Sequence, residues 1–126
     1  MALVGLAPPE MTAKSWAVAD AKSGNILWHS KAEQKLEIAS MTKMLTFLVI
    51  LHELEEDSSL IEEEVLVSEA SCTIGGTTAN LREGDMISVW DLLYGMMLPS
   101  GNDAAHALAL HFGETMALRE ESEIGL

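Results

Sequence analysis

Ser40-Met41-Thr42-Lys43-Met44-Leu45-Thr46-Phe47-Leu48-Val49-Ile50-Leu51-His52-Glu53-Leu54-Glu55 is the stretch on which the fold turns. Apolar residues fall on nearly every face of the helix this segment predicts. A helix apolar all round is packed on several sides, so it is expected as a buried central post running to about Glu55. Ser40 is placed to cap its start. Glu53, Glu55, Glu56 and Asp57 then carry the chain out to solvent. Acids at a C-terminal end oppose the helix dipole, so fraying is expected there.

Upstream, residues 1–13 read as a flexible tail, with Pro8 and Pro9 blocking regular structure. Two short apolar runs follow, Ser15 to Asp20 and Ile26 to His29. Ala21-Lys22-Ser23-Gly24-Asn25 between them carries a glycine suited to positive φ, so the pair reads as a β-hairpin. Downstream, Val65-Leu66-Val67 reads as a short strand, residues 71–80 as a Ser/Thr/Gly-rich loop, and Arg82-Glu83-Gly84-Asp85 as a turn. Ser88 with Asp91 three residues later makes a capping box for a second helix ending at Pro99. Ser100-Gly101-Asn102 connects it to a third helix, Asp103 to about Phe112, and Glu114 to Ser122 is expected as a fourth.

The 126 residues fit one domain, taken as 14–126 after the tail. Lys and Arg number 7 against 20 Asp and Glu, a formal charge of -13. That balance excludes phosphate-backbone binding, so no nucleic acid partner is expected, nor adhesion to anionic membranes. Cys72 is the only cysteine and forms no internal disulfide; its neighbours hold no base or cation, so it reads as a small filler. Met1 to Pro9 shows no secretory leader, and Met44 to Leu51 is far short of a membrane span. His29, His52, His106 and His111 have no metal-ligand spacing, so no metal and no cofactor are expected. Trp16, Trp28 and Trp90 read as core or hairpin packing.

Two constellations carry chemistry. Ser40 and Lys43 are three residues apart at a helix start, where i and i+3 share a face. Serine is a weak nucleophile until a base takes its proton, and lysine serves as that base only when its surroundings favour the neutral amine. A capping serine beside a solvated lysine is the bland alternative, and such spacing recurs by chance. A cation in the first turn of an apolar helix is poorly explained that way, because the dipole disfavours it. Ser100-Gly101-Asn102 is by itself an ordinary interhelical turn, with Asn102 capping the next helix. Its weight comes from order and distance: Ser-x-x-Lys, about sixty residues, then Ser-x-Asn in an interhelical loop.

With its flanks the pattern resembles a known family. Ile38-Ala39-Ser40-Met41-Thr42-Lys43-Met44-Leu45-Thr46 is similar to the Pro-Ala-Ser-x-Thr-Lys-x-Met-Thr stretch of the low-molecular-weight D-alanyl-D-alanine carboxypeptidases, peptidase family S11, departing at Ile38. Leu81-Arg82-Glu83-Gly84-Asp85 and Asp91 through Ala105 resemble the same family's turn and its Ser-Gly-Asn-Asp-Ala segment. The resemblance covers about residues 14 to 114. It implies an α+β fold, the helix-rich N-terminal half of the β-lactamase/DD-peptidase architecture, with a hairpin, a central buried helix and an incomplete sheet. It implies a serine-type carboxypeptidase that trims D-Ala-D-Ala-terminated stem peptides through an acyl-enzyme, that β-lactams also acylate, and that works outside the cytoplasm in the periplasm or cell envelope. By resemblance Ser40 is the nucleophile, Lys43 the general base, Ser100 the relay to the leaving amine, and Asn102 the group that binds the substrate peptide and helps hold Lys43.

The family's third motif, Lys-Thr-Gly, does not occur in residues 103–126. In the family it lies on a strand that binds the terminal carboxylate and supplies a second oxyanion donor. The chain therefore reads as a truncated, weakly active or inactive half of the domain. Low stability, a homodimer, or a partner supplying the missing C-terminal half is expected from its uncovered faces. The alternatives are a non-catalytic interaction module on the same fold and a β-lactamase-like hydrolase.

Overall fold

The computed structural model describes residues 10–124, with side chains to residue 119. They form two compact units, one up to Glu37 and one from Ile38. Residues 1–9 of the expected tail lie outside the described residues.

The first unit is an antiparallel hairpin of β1 (Trp16–Ala19) and β2 (Ile26–Ser30), pairing Trp16 with Ser30 and Val18 with Trp28. The Asp20 carboxylate closes the turn by accepting from the Lys22 and Ser23 N–H groups and the Ser23 hydroxyl. Gly24 takes φ +70, the conformation for which a glycine was expected there.

The second unit begins with a 3₁₀ turn, Ala39–Met41, leading into α1 (Thr42–Glu56). Ser40 does not cap this helix. It lies inside the 3₁₀ turn, and neither helix start has a side-chain cap. A second 3₁₀ turn, Ser58–Glu62, follows, capped by Asp57. Next come β3 (Glu64–Leu66), α2 (Glu69–Cys72), β4 (Met86–Ser88), α3 (Val89–Met97) and α4 (Asn102–Ile124). β3 and β4 pair antiparallel, Val65 opposite Ile87. Ser88 caps α3 by accepting from the Asp91 N–H at 3.1 Å, and its hydroxyl donates to the Asp91 carboxylate at 3.0 Å, so the expected capping pair forms.

The core lies where α3 packs on α4. Val89, Leu92, Met96, Ala104 and Leu108 are fully buried there, joined by Phe112 and by Ile50 from α1. Ala104, Leu108 and Phe112 recur every four residues on α4, which sets one face of that helix inward. Each fully buried Leu or Met contributes about 1.5–3 kcal/mol. Gly95 and Gly101 let the end of α3 and the start of α4 meet. A Cβ on Gly101 would lie 2.7 Å from the Gly95 carbonyl oxygen, which instead accepts the Gly101 N–H at 3.1 Å.

Four further expectations need correction. α1 is a helix, but it is not buried on all sides: Met44, Leu45 and Leu48 are each more than 60% exposed, while Ile50 reaches the core. Its composition is that of a core helix, and its outward face is uncovered among the described residues. Glu53 does not run out to solvent; it is buried, and its carboxylate accepts from Arg119 Nη1 at 2.6 Å. The third and fourth helices are one, because Gly113 lies within α4 without breaking it. Trp90 also departs from the core role expected of it. It is half exposed and stacks edge-to-face with Tyr94, ring centroids 5.1 Å apart.

Candidate active site

Ser40 reaches the site from the 3₁₀ turn, one residue after Ala39, whose φ is +47. An L-residue in the left-handed region costs of order 1–3 kcal/mol and persists only where its surroundings fix it. Ser100 shows the same feature, at φ +59. Its carbonyl accepts from the Thr77 hydroxyl. Two of the four non-glycine residues with positive φ among the described residues thus sit at the two ends of the site.

Lys43 joins the parts. It is only 9% exposed, in the first turn of α1. Its Nζ donates to Ser40 Oγ at 3.3 Å, to Ser100 Oγ at 3.3 Å and to Asn102 Oδ1 at 2.6 Å. The other three residues singled out in the sequence therefore converge on the nitrogen of Lys43. No carboxylate lies within ion-pair distance of that nitrogen among the described residues. Asn102 does not cap α4 with its side chain. Oδ1 faces Lys43 and Nδ2 donates to the Gly75 carbonyl at 2.7 Å.

These residues open onto a groove of about 540 Å³ lined by Ser40, Lys43, Thr46, Ile74, Asn102 and His106. A second groove, between α1 and α3, is lined by Phe47, Trp90, Leu93, Tyr94, Met97 and Leu98 and measures about 310 Å³. It holds no acid, base or nucleophile beyond one tyrosine hydroxyl.

The loop between α2 and β4 holds the 100–103 connector, a role no motif in the sequence marked. The Thr77 carbonyl accepts from the Asn102 N–H at 2.8 Å. The Asp103 carboxylate accepts from the Thr78 hydroxyl at 2.6 Å and from the Ala79, Leu81 and Ala104 N–H groups. Burial pushes the Asp103 carboxyl up, but the hydrogen bonds from Ala79, Thr78, Leu81 and Ala104 outweigh it and hold the group below the usual carboxylate range. The sequence marks Asp103 as a helix start and as part of the Ser-Gly-Asn-Asp-Ala resemblance, not as the anchor of this loop. The one sequence signal for the loop's role was its Ser/Thr/Gly content.

His106 lines the groove one helical turn beyond Asn102, and its Nδ1 lies 3.1 Å from the Ser71 hydroxyl. His111 pairs with Glu63 at 3.0 Å, outside the groove. Cys72 is partly buried, with Sγ 3.6 Å from the Leu81 carbonyl oxygen. Burial, then the charges of Asp103, Glu83 and Asp85, push its thiol up, away from the reactive thiolate.

The D-alanyl-D-alanine carboxypeptidase family, peptidase family S11, matches residues 3–116. The chain belongs to this family. It is 35% identical over 124 residues to the D-alanyl-D-alanine carboxypeptidase DacC of Escherichia coli, covering 94% of this chain and 30% of that protein. It is 33% identical over 97 residues to DacF of Bacillus subtilis, covering 77% of this chain and 25% of the relative. Among solved structures, penicillin binding protein 6B from Escherichia coli superposes with a TM-score of 0.79 at 28% identity, taking in 100% of this chain and 43% of that one. Penicillin binding protein 5 from Haemophilus influenzae gives 0.76 at 32% identity, with 97% and 38% coverage. This D-alanyl-D-alanine carboxypeptidase family member thus spans under a third of the length of these two curated relatives. The chain is α+β, with two small two-stranded sheets among the described residues, and the solved structures it resembles are penicillin-binding proteins.

Proposed function

We propose that this chain carries the acylation centre of a serine-type D-Ala-D-Ala carboxypeptidase, with Ser40 as nucleophile and Lys43 as general base. The observation that carries the reading is the convergence of Ser40, Ser100 and Asn102 on Lys43 Nζ. With the amine neutral, the Ser40 hydroxyl donates to Nζ across the same 3.3 Å. Ser40 Oγ then attacks the carbonyl between the two D-alanines, and its proton passes to Nζ. As the tetrahedral adduct collapses, the carbon–nitrogen bond breaks and the leaving amine takes a proton by way of the Ser100 hydroxyl. Ser100 lies 3.3 Å from Nζ, within reach of that transfer. Asn102 holds Nζ between the two hydroxyls and offers the second hydrogen of its amide nitrogen to the bound peptide. Water releases the acyl group and regenerates the serine.

Residues 103–126 contain no Lys-Thr-Gly segment, so the second oxyanion donor and carboxylate anchor implied by the family come from none of them. Loss of one such donor costs about 10²- to 10³-fold in rate. The chain by itself is therefore a weak hydrolase or an inactive one that still acylates. Its ligands are D-Ala-D-Ala-terminated peptides and β-lactams, and its place is the periplasm or cell envelope. No helix among the described residues is long and apolar enough to cross a membrane.

The test is release of D-alanine from an acetylated peptide ending in D-Ala-D-Ala, followed beside Ser40→Ala. Slow release that the substitution abolishes supports the reading; equal release from both chains contradicts it. The exposed apolar face of α1 favours a second reading, an interaction module in which that face binds a further copy or the remainder of the domain.

A further inference from the structure

Gly76 lies in the loop between α2 and β4 with φ +97. A Cβ built on it would fall 2.6 Å from Asn102 Nδ2 and 3.7 Å from Asn102 Cγ, so any side chain there displaces the amide. One residue earlier, the Gly75 carbonyl accepts from Nδ2 at 2.7 Å. A carbonyl oxygen only accepts, so the nitrogen end of the amide must face it. That leaves Oδ1 facing Lys43 Nζ, 2.6 Å away. One residue later, the Thr77 carbonyl holds the Asn102 backbone N–H. Three consecutive residues thus grip both the main chain and the side chain of Asn102.

We propose that Gly76 is a positioning residue for the Ser40–Lys43 pair, acting through Asn102. The missing side chain at position 76 lets the loop close on the amide and fixes which end of it Lys43 meets. Turning the amide over would set its hydrogens against those of Nζ, and the bond that holds Nζ between the two serines would be lost. The consequence for catalysis rests on the proposed acylation reading; the amide lock itself does not.

Backbone strain and steric clash are separable here, because Gly84 takes a similar φ of +84 with nothing within 4 Å of its Cβ position. Gly84→Ala therefore carries the strain alone, and Gly76→Ala carries strain and clash together. The experiment compares these two chains, Asn102→Ala and Gly76→Ala/Asn102→Ala by the Asn102 side-chain amide signals in ¹H–¹⁵N spectra, by thermal midpoint, and by the rate of labelling with a fluorescent penicillin. Gly84→Ala leaves the Asn102 signals in place, while Gly76→Ala shifts them and speeds their exchange. Gly76→Ala lowers the midpoint more than Gly84→Ala does, and the excess disappears when Gly76→Ala/Asn102→Ala is measured against Asn102→Ala. Labelling slows on the order of 10²-fold in Gly76→Ala and not in Gly84→Ala, the scale of a small misplacement in a reacting pair. Should Gly76→Ala fail to fold, the double variant folds if the clash is the cause. Unchanged Asn102 signals in a folded Gly76→Ala chain, an excess that persists in the double variant, or a double variant that also fails to fold would overturn the inference. Absence of labelling in the unsubstituted chain counts against the acylation reading and leaves spectra and midpoints to decide on Gly76.

Discussion

Lys43 Nζ and Asn102 Oδ1 are 2.6 Å apart across 59 residues of sequence, the shortest contact Lys43 makes. It ties the first turn of α1 to the first residue of α4 and so fixes where the amine sits relative to both serine hydroxyls. Asn102→Ala removes that hold and leaves Nζ only its two 3.3 Å contacts. Labelling of Ser40 by a penicillin is expected to fall by about 10²-fold, the cost of misplacing a reacting group by roughly 1 Å. Stopped-flow or gel-based labelling rates check this.

Lys43→Met keeps the length of the side chain and deletes the base. Labelling is expected to fall by about 10²- to 10⁴-fold, the range of general-base catalysis, while far-UV circular dichroism stays unchanged. Retention of most of the labelling rate would move the base elsewhere in the groove.

The motifs were readable because they are local in sequence, and each of their four residues reached the site. The Ser40–Lys43 contact follows from their spacing, whereas the approach of Ser100 and Asn102 to the same nitrogen was implied by the family resemblance alone, since it depends on how α1 and α4 pack. The loop at residues 75–81 escaped for the same reason. Its backbone groups hold Asn102 and Asp103 from more than twenty residues away, and no residue type at those positions announces that. Apolar periodicity marked α1 correctly as a helix with a core composition, yet periodicity says nothing of whether a cover is present. Met44 and Leu48 are apolar, as for a core, and exposed all the same. The helix expected to end near Phe112 runs on through Gly113, and β4 was hidden between a turn and a capping serine.

Asp103 is 3% exposed and both its carboxylate oxygens accept hydrogen bonds from the loop. Asp103→Asn sets an amide N–H against donors from that loop, and is expected to cost about 1–3 kcal/mol. The pH dependence has a definite sign. Its folded-state pKa is held low, so its contribution is fully present above the ordinary carboxyl value and is lost as pH falls through the lower folded value. The loss is therefore confined to below about pH 4. Urea midpoints between pH 2 and 6 are expected to fall less steeply at the acid end for Asp103→Asn than for the unsubstituted chain.

The outward face of α1 presents Met44, Leu45 and Leu48 to solvent. Leu48→Lys is expected to change stability by no more than about 0.5 kcal/mol, as for a surface substitution. It should also reduce binding of a hydrophobic dye and any concentration-dependent association. Leu92→Ala, in the fully buried core, is expected to cost about 2–5 kcal/mol. Comparable losses from both substitutions would show that the face of α1 is covered in solution.

The central claim is that Lys43 activates Ser40 in this chain. Intact-mass spectrometry after incubation with a penicillin tests it most directly, with peptide mapping and a Ser40→Ala control. The account predicts a single adduct, mapped to the peptide containing Ser40 and absent from the control. A folded chain that takes up no adduct, or an adduct that persists in Ser40→Ala, would contradict it.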